Sequence, residues 1–273
     1  MSKKLMILLG LLLIVSLALT ACGAPAAEEA AMEEGGEEAA MEEGAAGECC
    51  DAYRIALFEE PVSLNYWNYL GPGSSVWTQY VVAGQAPQLF NLSDVRFDFI
   101  PELAKAIPEP VDNGDGTYTV TVEMVEGATW SDGEAITADD YVFTFNACKD
   151  LKLTQNWPNQ CVPNGVEAEV SAAGDYTIEI KFLNQAPSLG NWQAGLALAP
   201  ILPEHYWAEK AAEAYVFVEG AEAPEMDRPE DCEAEDADAD ACAAYAAYDE
   251  MFTNARTTLY EADAAAAPSG GGY

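Results

Sequence analysis

The clearest pattern in the chain is a two-residue alternation over residues 117–124. Tyr118, Val120, Val122 and Met124 fall on one face, and Thr117, Thr119, Thr121 and Glu123 on the other. A period of two sets one side of a strand against a core and the other towards solvent, so this segment reads as a half-buried strand. The alternation returns on both sides of Ala173-Gly174-Asp175. Val166, Ala168 and Val170 alternate with Glu167 and Glu169 before it, and Tyr176, Ile178, Ile180 and Phe182 alternate with Thr177, Glu179 and Lys181 after it. Two such runs around a Gly-Asp turn predict a hairpin. A further strand is expected where Tyr53, Ile55 and Leu57 alternate with Arg54 and Ala56. Between the first strand and the hairpin the period becomes helical: Ala138, Tyr141, Phe145 and Cys148 share a face. Thr137 is a good N-cap with Asp140 three residues on, close to a capping box, and Asp139 and Asp140 suit the positive end of the helix dipole. An apolar run over residues 195–202 leads to Pro203, which opens a short helix expected through Trp207. The turn Asp112-Asn113-Gly114-Asp115-Gly116 has calcium-loop residue types. Its spacing fails, because Gly114 takes the third ligand position and no distal glutamate follows, which leaves a plain turn.

The first residues follow a different logic. Lys3 and Lys4 precede an apolar run over residues 5–19. The run is short of the roughly twenty residues that span a bilayer and suits a signal-peptide core. It ends in Leu19-Thr20-Ala21-Cys22, which resembles the lipobox of bacterial lipoproteins, so Cys22 is expected to be lipidated after removal of residues 1–21. An ordinary secretory signal with an incidental cysteine is the alternative. Acylation with two or more chains gives stable anchoring, at about 0.8 kcal/mol per buried methylene. Residues 24–48 are almost entirely Ala, Glu, Gly and Met, without an aromatic or basic residue. Such a segment buries too little surface to offset chain entropy, so residues 22–50 are expected to form a disordered acidic tether.

Charge narrows the function. The chain has 47 acidic and 11 basic residues among 273, a formal net charge of -36. Nucleic-acid binding is excluded, because phosphate contacts need clustered Lys and Arg. The one histidine, His205, has no companion histidine, nucleophile elbow or phosphate loop, so no catalytic residues are assigned and a structural role at a helix start is expected. A hydrolase would need a nucleophile–base pair that the sequence lacks, and no metal or cofactor is implied. Seven cysteines outside the cytoplasm can pair. Cys148 and Cys161 sit near a helix end and the loop after it, and a bond between them would contribute about 3 kcal/mol through loop entropy. Cys49 and Cys50 stay unassigned, and Cys232 with Cys242 is one option for closing a small loop. Beyond Trp207 the character changes: residues 222–240 are acidic and 241–247 rich in Ala and Tyr, which reads as an insertion or a loosely folded helical excursion.

The order of segments resembles solute-binding protein family 5, the peptide- and nickel-binding group that serves ABC importers. Ile100-Pro101-Glu102-Leu103-Ala104-Lys105 is similar to its "PELA" segment. The block from Trp130-Ser131-Asp132-Gly133 through Thr137-Ala138-Asp139-Asp140-Tyr141-Val142-Phe143 is similar to its signature, and Ile201-Leu202-Pro203-Glu204-His205-Tyr206-Trp207 to a later segment. The terminal glycines resemble a "GtGPY" element, with Gly272 in place of proline. The resemblance implies an α/β, periplasmic-binding-protein-like lobe of the class II type: a mixed sheet with flanking helices, incomplete without a second lobe. Residues 51–208 would be the first part of the solute-binding domain, and 209–273 an acidic, Ala-rich insertion with a truncated segment near the hinge. It also implies an extracytoplasmic, membrane-anchored protein that captures a peptide-like solute for ABC permease subunits. The alternative is a truncated or split surface lipoprotein without independent binding, since half a clamshell cannot exclude water from a ligand. By the same resemblance Ser63-Leu64-Asn65-Tyr66 takes the place of the family's "sLDP" motif, with Asn65 for aspartate. Tyr69, Leu70 and Gly71 would then offer backbone hydrogen bonds to an extended peptide. Trp67, Trp77 and Tyr80 would supply apolar walls, with packing inside the lobe as the alternative; Trp157 and Trp192 are weaker candidates.

Overall fold

The computed structural model describes residues 56–234 and 237–270. The signal-peptide run, Cys22, the tether, Cys49, Cys50, the start of the strand expected at 53–57 and the last three residues lie outside them. The alternating segments build one four-stranded sheet. Its strands are β3 (Val111–Asp112), β4 (Tyr118–Glu123), β5 (Ala168–Gly174) and β6 (Thr177–Phe182), in the order β3-β4-β6-β5. Val120 pairs with Ile180 and Val122 with Ile178, all four fully buried, while Thr121 pairs with Glu179 on the opposite face. The two-residue period is therefore spent as expected, one face inward and one outward. A two-stranded ribbon, β1 (Phe90–Leu92) with β2 (Phe99–Pro101), stands beside the sheet. Leu103 and Ala104 join the two, because Val125 N–H donates to Leu103 O at 2.7 Å and Lys105 N–H to Glu123 O at 2.7 Å. The α/β class holds. Every named strand pairing among the described residues is antiparallel, and for β5 with β6 the short connection dictates it.

Among the described residues six α-helices flank the strands: α1 (Tyr66–Leu70), α2 (Val76–Val82), α3 (Ala138–Asp150), α4 (Pro158–Cys161), α5 (Glu204–Tyr215) and α6 (Ala239–Glu261). Thr137 N–H donates to Asp140 Oδ2 at 2.9 Å, the capping-box contact anticipated for α3. The helix buries Tyr141, Phe145, Ala147 and Cys148. Helix α5 runs two turns past Trp207, to Tyr215, because Ala211 and Ala214 continue its buried face. The Ala/Tyr-rich stretch belongs to α6, a continuous helix of 23 residues. Phe252, Ala255 and Leu259, at helical spacing, carry its last turns into the hydrophobic interior. No helix among the described residues is long and apolar enough to cross a membrane.

Candidate functional site

Asn65 organises the segment predicted to line a cleft. It is 1% exposed, and its side chain works in two directions. The Oδ1 atom accepts from Asn68 N–H at 3.3 Å and so caps α1. The Nδ2 amide donates to the carbonyls of Leu259, Tyr260 and Ala262 at 2.9, 3.1 and 3.0 Å. Those carbonyls lie at the end of α6, where the regular helical bonding runs out; Leu259 O accepts from Ala262 N–H at 3.4 Å as well. An aspartate cannot donate to them, which gives a local reason for asparagine here.

The backbone of α1 is not available for strand addition. Tyr69 N–H donates to Asn65 O, Gly71 N–H to Trp67 O and Asn68 O, and the Leu70 carbonyl accepts from Asn156 N–H. A capped helix satisfies its own amides, so the expectation that Tyr69, Leu70 and Gly71 present free backbone to a peptide is corrected. Gly71 is buried, and a Cβ added there would lie 2.9 Å from the Tyr260 ring. Trp67 is fully buried too. It stacks on Trp157 with centroids 4.9 Å apart and meets Phe143 and Trp207 edge-on, so it is core rather than cleft wall. Trp157 is held by its indole N–H donating to Trp67 O at 2.8 Å, and Trp192 is buried against Phe90 and Phe182.

A cleft of about 480 Å³ opens beside α1. Tyr66, Tyr69 and Leu70 line one side, Gln79 and Ala83 another, and Gln88, Asn91, Glu102 and Gln160 contribute polar groups. Two of the predicted residues, Tyr69 and Leu70, are thus in its lining, while Trp67, Gly71, Trp77 and Tyr80 are not. Burial pushes the Tyr66 phenol well above its ordinary value, with the charges of Tyr69 and Glu102 adding to the effect, and burial raises Tyr69 as well. Both phenols therefore stay neutral hydrogen-bonding groups at physiological pH. Trp77 and Tyr80 stack at 6.2 Å on α2, with Phe58 5.2 Å from Trp77, as a separate, partly exposed aromatic row. The amide side chains and Glu102 carry no sequence pattern of their own. Only Glu102 lay within a recognisable segment.

Around the cleft the scaffold is tied by polar nodes. Asp140, 4% exposed, accepts from Thr137 N–H, from the Trp130 indole N–H at 3.3 Å and from Glu204 N–H at 2.8 Å. One carboxylate thus joins the turn at 130–133, the start of α3 and the start of α5. Burial raises its pKa against the pull of these donors. Gly133 turns the chain at φ +96°, a conformation glycine takes without steric cost. His205 Nε2 lies 2.9 Å from Asp132 Oδ2 and ties α5 to the same turn. Cys148 is bonded to Cys161 across α3 and α4, and Cys232 to Cys242 between the acidic loop and α6. No group of three or more His, Cys, Asp or Glu among the described residues is placed to hold a metal ion.

Residues 98–231 match the family model of bacterial extracellular solute-binding proteins, family 5 Middle. Protein XP55 of Streptomyces lividans is 33% identical over 112 residues, 41% of this chain and 19% of that protein. The oligopeptide-binding protein of Thermus thermophilus, solved with a pentapeptide, aligns over 70% of this chain and 29% of its own at 15% identity and a TM-score of 0.44. The ABC transporter substrate-binding protein CtaP of Listeria monocytogenes aligns over 53% and 27% at 27% identity and a TM-score of 0.39. The chain thus spans less than a third of the length of each of these proteins. The match runs from β2 through the turn at 130–133, α3, the hairpin and α5, and it identifies residues 98–231 as a segment of the kind found in bacterial extracellular solute-binding proteins of family 5.

Proposed function

We propose that this chain is the extracytoplasmic substrate-binding component of an ABC importer, and that it captures a peptide-like solute for its membrane permease subunits. The observation that carries the reading is the family match over residues 98–231, which supply Glu102, Gln160, Leu198 and Pro200 to the cleft. A cavity of about 480 Å³ is of the size that takes a small solute. Lipidation of Cys22 would hold the protein at the outer face of the membrane, with residues 22–50 as a leash. Capture here would use side chains, because the α1 amides are already paired. Titration calorimetry of the full chain against a peptide library, with sugars and nickel chelates as controls, tests the proposal; absence of heat with every class counts against it. Replacing Cys22 by serine should release the protein from the membrane fraction, and retention would refute the anchor.

A further inference from the structure

The two disulfides sit in opposite surroundings. Cys148 and Cys161 are 1% and 3% exposed and belong to the hydrophobic interior. Cys232 is exposed and Cys242 half-buried, and their bond lies where the acidic loop meets the start of α6. Thiol–disulfide exchange needs a thiolate to reach a sulfur, so access decides which bond opens first. A thiol in solution reaches Cys232 on the folded protein. It reaches Cys148 or Cys161 when the core around them opens.

The surface bond is the covalent tie between residues 219–234 and α6. Its companions are weaker: Tyr245 Oη donates to Met226 O at 3.0 Å, Arg228 pairs with Asp249, and the Arg228 guanidinium lies 5.0 Å from the Tyr245 ring. Contacts of this kind at a surface hold loosely on their own. Helix α6 is secured further along, where Phe252, Ala255 and Leu259 are buried. Opening the bond therefore frees the loop and the first turns of α6 and leaves the far end of the helix in place. Charge also selects the reagent. Cys232 stands between Asp231 and Glu233, Asp238 and Asp240 precede Cys242, and Arg228, the one basic residue of 219–240, is engaged with Asp249. An attacking thiolate brings another negative charge into this field. An ammonium on the same molecule offsets it, and a second anionic group adds to it.

We propose that the Cys232–Cys242 bond is a redox latch: small thiols, cationic ones foremost, open it on the folded protein and release residues 219–234 from α6, while the Cys148–Cys161 bond stays closed. The incoming thiolate bonds to Cys232 Sγ, and Cys242 leaves as a thiolate that takes a proton from water. A second thiol displaces the first from Cys232. The cysteine pair thus gains two electrons and two protons, and the reagent leaves as its own disulfide.

The test uses the full chain with its free thiols blocked by N-ethylmaleimide. It is treated at low salt with cysteamine or with mercaptoethanesulfonate, quenched with iodoacetamide, and mapped by peptide mass spectrometry. Each rate is divided by that reagent's rate with N,N′-diacetylcystine diamide, an uncharged reference. Label should appear on Cys232 and Cys242 at least about tenfold faster than on Cys148 and Cys161. The corrected rate with cysteamine should exceed that with mercaptoethanesulfonate at least about fivefold, and the gap should narrow at high salt. Hydrogen exchange should quicken over residues 226–234 and 239–248 and stay unchanged over 252–260. Cys232→Ser combined with Cys242→Ser should give the same exchange pattern without any thiol. Label on both pairs at one rate, or first on Cys148 and Cys161, overturns the latch, as does a parent-like exchange pattern in the double variant. Equal corrected rates for the two thiols overturn the preference for cationic reagents.

Discussion

Replacing Asn65 by aspartate changes one atom type and no shape, yet it should be among the most damaging single substitutions in this chain. The Oδ1 atom that caps α1 survives the change. The Nδ2 donor becomes an oxygen facing the carbonyls of Leu259, Tyr260 and Ala262, each about 3 Å away. An amide has two protons, so at least two good hydrogen bonds are lost; Leu259 O keeps the Ala262 N–H as a donor, and each acceptor left unsatisfied costs about 1–3 kcal/mol. The new carboxylate is also buried at the negative end of α6, where burial and dipole both oppose its charge. We expect a loss of about 3–5 kcal/mol at neutral pH, the range seen when a buried charge is left uncompensated. The sign of its pH dependence is fixed. The folded-state pKa of the introduced carboxyl lies above its unfolded value, so the penalty is full above the folded pKa and shrinks as pH falls through it, when the acid regains one O–H donor. Asn65→Ala should lose the cap and the α6 contacts with no such pH dependence. Urea denaturation followed by tryptophan fluorescence at pH 7 and pH 4.5 measures both. Equal stability of Asn65→Asp and the parent at pH 7, or a loss that does not shrink in acid, would refute this account.

Three further outcomes follow from other contacts. Gly71→Ala would place a methyl 2.9 Å from the Tyr260 ring and 3.0 Å from the Trp67 carbonyl, so an overpacking loss of about 1–3 kcal/mol is expected in the same urea experiment. Changing both Cys148 and Cys161 to serine should cost about 3 kcal/mol, since their bond closes a loop of 13 residues' separation; reduction of the parent, which also opens the Cys232–Cys242 bond, should cost at least as much. The Asp132 carboxyl is held below the usual carboxylate range by its hydrogen bond to His205. Its stabilising contribution is therefore present above that range and lost as pH falls through the lowered value, and a carboxyl-resonance titration should move up towards the ordinary midpoint in His205→Ala, with the Glu134 N–H still holding it partly down.

Much of the scaffold was legible in the residues. Alternation found β4, β5 and β6 because one face of their sheet is dry and the other wet, and Thr137 with Asp140 located the start of α3. The site was harder, for identifiable reasons. Tyr66, Trp67, Tyr69 and Leu70 are apolar at adjacent positions, so no period separates a five-residue helix from an extended segment, and the capping role of Asn65 depends on α6. Trp67 reads equally as wall or core until Trp157 and Trp207 are placed beside it. The run of Ala and Tyr in α6 hides its buried stripe, which begins in earnest only at Phe252. The cleft amides come from α2, β1, α4 and the loops around them. Their convergence is a property of packing, and no local stretch encodes it.

The bond between Asn65 and Leu259 links positions 194 residues apart. Helix α1 therefore lacks its lock until the end of α6 has left the ribosome. Closing so long a loop is slow beside local folding. A nascent chain with this dependence leaves α1 without its tie to α6 until synthesis is nearly complete.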